Sequence, residues 1–479
     1  MKILVVNGSP RGEMSITLQT MLYLQKKYPS QDFDFLMAGG RIRTYEKDFS
    51  EASAKLLWAD LILFSYPVYT FLLPSQLTRF LELIFENKVD LSGKWVSQFS
   101  TSKHFYDVTA HRFLEENVRD LGMKYVRGLS ADMEDLPTEK GQKEACDFFD
   151  FLLWSVENDI YETGRYGTKE QNAGENKRKE DLRAGQMAIP EGPAKEEVKA
   201  CGEADTEDPK KPGKRAVIVT DMGEDEAELA AMIDYFRKTF PYETDLLNLR
   251  HMGMKGGCLG CLNCTASGKC IYTDGFSDLL RNKIQTSDAV VYAFSVKYHG
   301  MGSLFKTYDD RQFCNGHRTV TMGSPVAYLV RGRLSEEANL RMVIEARAET
   351  GGNYLAGIAT DEADTEVEIL RMSQKLAYAL DHSYAPPQNF YGVGGIRIFR
   401  DLIYLMRGMM KADHKFFKEN GMYDFPQKKK GTMAAMYLVG AMFSNEKLKK
   451  KLGDKINEGM LAPYKKVLAA ADEKKEGQD

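Results

Sequence analysis

The sequence predicts an α/β protein with two doubly wound parallel-sheet domains and a helical extension at its carboxyl end. Two short apolar segments, Lys2–Val6 and Arg215–Thr220, have the continuous hydrophobicity of strands buried on both faces. Each leads through a polar turn into an amphipathic helical pattern, so strands and helices alternate from the start of each half. This alternation is typical of parallel sheets covered by helices.

Two further pairs of segments indicate that the halves are copies of one domain. ADLILFSYPVY (59–69) matches SDAVVYAFSVKY (287–298), and GMKYVRGLSAD (122–132) aligns without gaps on GGNYLAGIATD (351–361). The order and spacing agree, which is expected of an internal duplication.

The domain boundaries follow from composition. A chain of 479 residues suggests about three units. We predict a first domain over 1–164, a charged flexible linker over 165–214, a second domain over 215–384 and a helical extension over 385–479. The linker segment is rich in Lys, Glu, Gly and Pro and has almost no large apolar residues to bury. The extension is Met-rich with helical periodicity.

Charge and hydropathy exclude several classes of protein. The net charge of −4 gives no global attraction to nucleic acid or to an anionic membrane. The start, MKILVVNGSP, lacks the pattern of a signal peptide, and no apolar run approaches the ~18 residues of a membrane span. We therefore expect a cytoplasmic protein with reduced thiols.

The first strand is followed by NGSPRGEMSITLQTM (7–21), which predicts a phosphate-binding loop. Backbone N–H groups at the start of the helix, together with Ser9, Arg11, Ser15 and Thr17, would surround an anion. The spacing is neither that of a nucleotide-hydrolase loop nor that of a dinucleotide-binding loop, so a monophosphate such as that of FMN fits better. The alternative is an ordinary capped helix.

Two more loops are expected at the same edge of the first sheet. The third strand ends in YPVYTF (66–71), and a strand over Trp95–Phe99 ends in a polar and aromatic loop over Ser100–Asp107. Ligands of open α/β sheets bind at this edge. The candidate cofactor-binding residues of the two loops are Pro67, Val68, Tyr69, Thr70, Phe71, Ser100, Thr101, Ser102, His104 and Tyr106.

These three loops together resemble those of the flavodoxin-like NAD(P)H-dependent FMN reductases. That family has a GSPR loop with Ser-x-Thr behind it, a PVY loop and a Ser/Gly-rich third loop. The resemblance implies FMN as cofactor and NAD(P)H as electron donor. Ile16 departs from the family pattern, which often has Asn there.

The corresponding first loop of the second copy is acidic. Asp221, Glu224, Asp225 and Glu226 stand where a phosphate would bind, so we expect this copy to have lost its own flavin phosphate site.

The second copy carries GGCLGCLNCTASGKC (256–270), which places four of the seven cysteines in thirteen residues. Cys258, Cys261 and Cys264 follow one another at x2 spacings and Cys270 comes after x5, which favours one 4Fe-4S cluster. Zinc and unligated thiols are the alternatives. Cys146, Cys201 and Cys314 are isolated in sequence and receive no role.

This cysteine pattern resembles the iron-sulfur flavoproteins, a branch of the same fold. The resemblance implies a 4Fe-4S cluster and a segment near the flavin that reads LFKTYDDR (304–311) here. Members of that branch form dimers or higher oligomers. Here two copies are fused, one with the flavin loop and one with the cysteines, so we expect an intramolecular pseudo-dimer, with further homo-oligomers left open.

The expected function is that of an oxidoreductase that passes electrons between NAD(P)H or a ferredoxin-type donor and an unknown acceptor. The alternatives are an electron-transfer protein and a redox sensor, neither with a small-molecule substrate. Tyr69, Phe71, Tyr298 and His299 are candidates for packing near the flavin ring. A final pair, Asp413 and His414, is expected to be structural.

Overall fold

The computed structural model describes residues 1–162 and 210–444. Most of the predicted linker, 165–214, lies outside these ranges, but its last residues, from Lys211, begin the first strand of the second copy. The chain forms two compact units, Met1–Phe416 and a second that begins at Phe417. Both sheets belong to the first unit.

The first copy forms a six-stranded parallel sheet. Its strand order is β2-β1-β3-β4-β5, and β6 continues alongside β4 after β5. The strands are β1 (Lys2–Asn7), β2 (Asp32–Leu36), β3 (Leu61–Pro67), β4 (Trp95–Ser102), β5 (Lys124–Tyr125) and β6 (Leu129–Asp132).

The second copy repeats this order in a five-stranded parallel sheet. The order β8-β7-β9-β10-β11 is the same 2-1-3-4-5 sequence of neighbours, which is the flavodoxin-like winding. The predicted fold class is thereby confirmed. The strands are β7 (Lys211–Thr220), β8 (Tyr242–Asn248), β9 (Ala289–Ser295), β10 (Pro325–Arg331) and β11 (Tyr354–Thr360).

Helices connect the strands and continue beyond the second sheet. Those of the first copy are α1 (Ile16–Lys27), α2 (Ile42–Tyr45), α3 (Ser50–Trp58), α4 (Ser75–Glu86), α5 (Asp107–Asp120) and α6 (Glu139–Glu157). Those of the second copy are α7 (Ala227–Thr239), α8 (Asn263–Ser267), α9 (Phe276–Leu279), α10 (Ser303–Arg311), α11 (Ala338–Gly351) and α12 (Thr365–His382). The helical extension contains α13 (Phe390–Leu405), α14 (Lys411–Glu419) and α15 (Lys430–Phe443).

A matching turn after β3 and β9 shows how closely the copies correspond. Tyr69 and Leu72 exchange two backbone hydrogen bonds, and so do Lys297 and Gly300. In each turn both central residues have positive φ: 43° and 71° in the first copy, and 47° and 63° in the second. This is the geometry of a tight two-residue turn.

One hydrophobic core joins the copies. Buried side chains of both sheets, including Phe80 of α4 and Phe305 and Tyr308 of α10, belong to the same cluster, while each sheet has a separate core on its outer face. Helix α4 packs against α10, and α5 packs against α11. Burying apolar surface from both copies stabilises their association within one chain.

Two local features of the first sheet differ from the expected pattern. Strand β4 continues to Ser102, three residues beyond the predicted end at Phe99, because Ser100–Ser102 pair in register with β6. In addition, GMKYVRGLSAD forms two short strands where its counterpart forms one. Gly128 lies between these two strands, where the chain passes close to β4. A Cβ atom there would lie only 2.2 Å from the carbonyl oxygen of Gln98, so this close approach requires glycine.

The extension is helical, as predicted. Within the first unit, the buried carboxylate of Asp413 in α14 accepts a hydrogen bond from Arg318 Nη1 at 2.8 Å, and His317 Nδ1 lies 3.1 Å from the same carboxylate. These contacts agree with a structural role for Asp413. Among the described residues, no helix is both long enough and apolar enough to cross a membrane.

Candidate cofactor site

The predicted phosphate loop lies at the carboxyl end of β1. Ser9 and Ser15 are buried; the hydroxyl of Ser9 accepts a hydrogen bond from the Arg11 N–H at 3.3 Å, and Ser15 caps α1 by accepting from the N–H of Leu18. The N–H groups of the first turn of α1 have no intrahelical acceptor. Arg11 is exposed beside them. The loop therefore offers backbone donors and one cation to an anion.

The third loop meets this phosphate loop through two buried hydroxyls. Thr17 Oγ1 and Thr101 Oγ1 are 2.6 Å apart. Ser100 lies deeper, where its hydroxyl is 2.7 Å from His111 Nε2, and burial lowers the pKa of His111 to about 4. Ser102 accepts from the backbone N–H of His104. Of these residues, Thr17 and Thr101 are brought together, whereas Ser100 belongs to an internal network.

The aromatic residues of the second and third loops form one cluster. Phe71 lies 5.0 Å from Phe105 and 4.6 Å from Tyr106, measured between ring centroids. Helix α13 covers this cluster: Phe399 lies 4.4 Å from Phe105, and the Tyr106 hydroxyl donates to the carbonyl of Tyr391 at 2.8 Å. The extension thus fixes the third loop.

Helix α10 of the second copy holds the second loop of the first copy. Asp310 accepts from the hydroxyl of Thr70 at 3.0 Å and from the backbone N–H of Ser75 at 2.7 Å. Lys306, buried beside Asp310, donates to the carbonyl of Tyr69 at 2.9 Å. These residues lie in the LFKTYDDR segment, so this segment positions the second loop.

The four clustered cysteines line one small cavity of about 30 Å³. Cys314, which received no role from the sequence, lines it as well. Leu262 and the glycines Gly256, Gly260 and Gly268 have positive φ, which lets the backbone turn sharply around this space. The Gly260 N–H points to Cys258 Sγ at 3.4 Å.

Arg311 anchors both ends of the cysteine loop. Its buried guanidinium forms a bidentate pair with Asp274 at 2.8 Å and also donates to the carbonyl of Gly256 at 3.0 Å. This pairing lowers the pKa of Asp274. Gly256 precedes the first cysteine and Asp274 follows the last, so a single side chain closes the loop.

The sulfur atoms are spread more widely than a zinc site requires. A tetrahedral zinc with four thiolates places its sulfurs about 3.8 Å apart. Among the residues that the structure describes, no three cysteine sulfurs lie within 4.8 Å of one another. Burial raises the pKa of Cys258 to about 12 and that of Cys264 to about 11, so a metal must displace their protons.

The cysteine loop lies directly against the first and second loops of the first copy. A Cβ atom on Gly260 would be 2.1 Å from Tyr69 Oη and 3.5 Å from Arg11 Cδ. Tyr69 also contacts Phe313 edge to face, with ring centroids 5.5 Å apart. The candidate metal site of one copy and the candidate flavin site of the other are therefore neighbours.

The first loop of the second copy is occupied by its own side chains. Glu226 accepts from the N–H of Gly223 at 2.6 Å, a donor that would otherwise face an anion. Lys297 lies 3.6 Å from Asp221 and 3.7 Å from Glu226. Burial raises the pKa of Asp221 to about 6.

The two aromatic candidates of the second copy contact the first copy on another side. Tyr298 stacks on Phe85 of α4, with ring centroids 4.5 Å apart. The ring nitrogens of His299 contact carboxylates of α5 and of Glu337. These contacts hold the copies together.

Comparison with known proteins agrees with this architecture. Residues 1–127 match a family model described as a flavodoxin-like fold. An iron-sulfur flavoprotein of Archaeoglobus fulgidus is 29% identical over 176 residues, which cover 34% of this chain and 78% of the relative. The chain is related to the iron-sulfur flavoproteins. The predicted resemblance to that group is thereby confirmed.

A second relative and two solved structures show the extent of similarity. An iron-sulfur flavoprotein of Clostridioides difficile is 23% identical over 139 residues, 27% of this chain and 61% of the relative. An NADH:FMN oxidoreductase in its apo form is 14% identical, with a TM-score of 0.28, over 34% of this chain and 91% of its own. An FMN-dependent NADH-azoreductase of Bacillus anthracis, solved with FMN, is 13% identical, with a TM-score of 0.26. The match covers 32% of this chain and 98% of the azoreductase.

Sequence reasoning missed the residues that connect the copies. Cys314 is buried in the cavity wall, but it lies 44 residues beyond Cys270 and no local spacing marks it. Phe313 and Gly260 approach Tyr69 only because the two sheets pack together. The equal offset between the two copies is the one signal that could have paired α4 with α10.

Proposed function

We propose that the protein is an oxidoreductase that uses FMN and a 4Fe-4S cluster to pass electrons between NAD(P)H or a ferredoxin-type donor and an acceptor. The observation that carries this proposal is the contact of Gly260, inside the cysteine loop, with Tyr69 of the second flavin loop. Electron transfer requires neighbouring cofactors, and this contact makes the two candidate sites neighbours.

The first copy supplies the residues that would hold FMN. Ser9, Ser15 and the first turn of α1 would bind the phosphate through hydroxyl and N–H donors, and Arg11 would add charge. The loops that contain Tyr69 and His104 would border the ring. The second copy offers no equivalent, because Glu226 takes the N–H of its first loop.

Cys258, Cys261, Cys264 and Cys270 would hold the cluster. They line one cavity, and the Gly260 N–H points to the sulfur of Cys258. The names of the two iron-sulfur flavoprotein relatives support the same assignment.

The chain's own residues set the conditions for transfer. When bound, a flavin takes up a hydride as two electrons and releases them singly, while a cluster carries one electron at a time. Asp310 and Lys306 hold the second loop in position against the cysteine loop. Tyr69, next to the cysteine loop, packs edge to face against Phe313 of the second copy.

Turnover assays test the proposed activity. Purified protein with both cofactors is mixed anaerobically with NADH or NADPH, and reduction of a panel of one- and two-electron acceptors is followed spectroscopically. Multiple turnovers with either nucleotide are expected. Reduction by a reduced ferredoxin alone would instead assign the protein as an electron carrier. Absence of reduction by every donor would overturn the proposal.

A further inference from the structure

A cluster of one histidine and three carboxylates lies where the copies meet, away from the candidate cofactor site. His299 and Glu337 come from the second copy, while Glu116 and Asp120 come from α5 of the first. Ligand atoms of Glu116, His299 and Glu337 all lie within 4.8 Å of one another. His299 stands in the turn after β9 at φ 63°, which fixes its backbone.

The two ring nitrogens of His299 face different partners. Nε2 is 3.1 Å from Asp120 Oδ2, so this carboxylate accepts the Nε2–H. Nδ1 is 3.0 and 3.1 Å from the two carboxylate oxygens of Glu337. A histidine that binds a metal commonly donates its other N–H to a carboxylate, which fixes the tautomer. Here Asp120 has that position, and Nδ1 faces the remaining carboxylates.

Glu116 supplies an independent sign of a missing ligand. Its Oε2 atom is buried and has no hydrogen-bond partner in the described part of the chain. An ionised carboxylate without a partner is costly in such surroundings.

The charges around the cluster do not balance without a further cation. Three carboxylates and one imidazolium would leave an excess of two negative charges, with Arg112 as a more distant counter-charge of Glu116. A divalent cation bound to neutral Nδ1 would reduce this excess to one negative charge and give Glu116 Oε2 a partner.

We infer that Glu116, His299 Nδ1 and Glu337 form a binding site for a divalent transition-metal ion that joins the two copies, with Asp120 as the positioning carboxylate. Two carboxylates and an imidazole form a mixed O/N set, which suits Mn²⁺, Fe²⁺ or Zn²⁺. Binding displaces the proton from Nδ1 and brings no redox step. The site is independent of the proposed cofactor chemistry.

Mn²⁺ is the probe of choice, because the thiolates of the cysteine loop select softer ions. Full-length protein with its cofactors is titrated with Mn²⁺ at pH 7.5, and free Mn²⁺ is measured by electron paramagnetic resonance. One saturable ion per chain is expected. Glu116→Gln and His299→Gln should each weaken binding by roughly tenfold or more. Asp120→Asn should weaken it by roughly 10- to 100-fold, because the carboxylate that accepts the Nε2–H and orients the His299 ring is lost.

Glu115→Gln is the matched control, since Glu115 is adjacent on α5 but pairs with Arg119. Its Mn²⁺ affinity should equal that of the unaltered protein. If Glu116→Gln fails to fold, Asp120→Asn still tests the proposal, because the Asp120 side chain is half exposed and the change keeps its size and shape. The proposal is overturned if the unaltered protein shows no saturable Mn²⁺ binding. It is overturned equally if Glu116→Gln or Asp120→Asn binds as tightly as Glu115→Gln.

Discussion

Asp310 accepts a hydrogen bond from the backbone N–H of Ser75 at 2.7 Å, and its counterpart Glu82 accepts one from the N–H of Ser303 at the same distance. Ser303 follows Ser75 by 228 residues, and Asp310 follows Glu82 by the same number. Each helix of the α4–α10 pair therefore caps the other through equivalent residues. A two-fold dimer interface shows the same kind of reciprocity, because each subunit offers the other the same surface.

Replacing Asp310 tests the strength of this interface. Asp310→Ala removes the cap of α4 and leaves Lys306, buried with it, without its close partner. Breaking a buried pair costs about 3–5 kcal/mol, so the midpoint of thermal unfolding should fall by many degrees. Asp147→Ala, which breaks the exposed pair with Lys143, should leave the midpoint unchanged. Equal midpoints for both variants would contradict the proposed importance of the cap.

A pair of glycine variants tests the contact between the candidate sites. Gly260→Ala and Gly253→Ala impose similar strain, since the φ angles are 62° and 61°. Such strain costs roughly 1–2 kcal/mol. Only at Gly260 would the new Cβ collide with Tyr69 Oη, because Gly253 has nothing within 4 Å. Of these two variants, we expect only Gly260→Ala to lose the visible absorbance of bound iron.

A double variant checks the cause of that loss. Tyr69→Phe removes the hydroxyl that the Gly260 Cβ would meet. Gly260→Ala combined with Tyr69→Phe should therefore recover much of the iron content measured for Gly253→Ala. If it does not, the Tyr69 hydroxyl is not the source of the conflict.

Arg11 should contribute to flavin affinity. Arg11→Gln removes the exposed cation beside the first turn of α1, and a charge-assisted hydrogen bond contributes about 1.5–3 kcal/mol. FMN should bind roughly 10- to 100-fold more weakly, as measured by the recovery of flavin fluorescence on dilution. Arg333→Gln, at an exposed position of the second copy, is the control and should bind FMN normally. Equal loss in both would argue against the first loop as the phosphate site.

The association of the copies should depend on pH through His299 when metal is removed by a chelator. Burial by itself lowers the pKa of His299. The hydrogen bonds with Asp120 and Glu337 outweigh this effect and raise the pKa to about 10. A raised pKa means that the folded state holds the proton more tightly, so this stabilisation is complete below about pH 6.5 and is lost as the pH approaches 10. The unfolding midpoint of the unaltered protein should exceed that of His299→Gln at pH 6, and the gap should narrow by pH 10. A gap independent of pH would contradict the assignment.

The sequence predicted two doubly wound parallel sheets, because the hydrophobic periodicities of strands and helices are local patterns. The buried strands at Lys2 and Arg215 and the repeat between 59–69 and 287–298 suffice to predict two equivalent domains. The cysteine spacing likewise predicts a metal-binding loop without any knowledge of the fold.

What the sequence could not predict depends on contacts between distant residues. The extent of β4 depends on pairing with β6, and the covering of Phe105 by Phe399 depends on the path of the extension. His299 was expected near a flavin ring, yet its turn faces the carboxylates of α5. Such contacts arise from the packing of the copies, which no local pattern encodes.

The central claim is that one copy binds the flavin and the other the cluster. The most direct test is anaerobic purification of the full-length protein followed by extraction of flavin and analysis of iron, sulfide and zinc. We predict about one FMN and about four iron atoms per chain, as a single 4Fe-4S cluster requires. Two FMN per chain, or zinc in place of iron, would contradict the account.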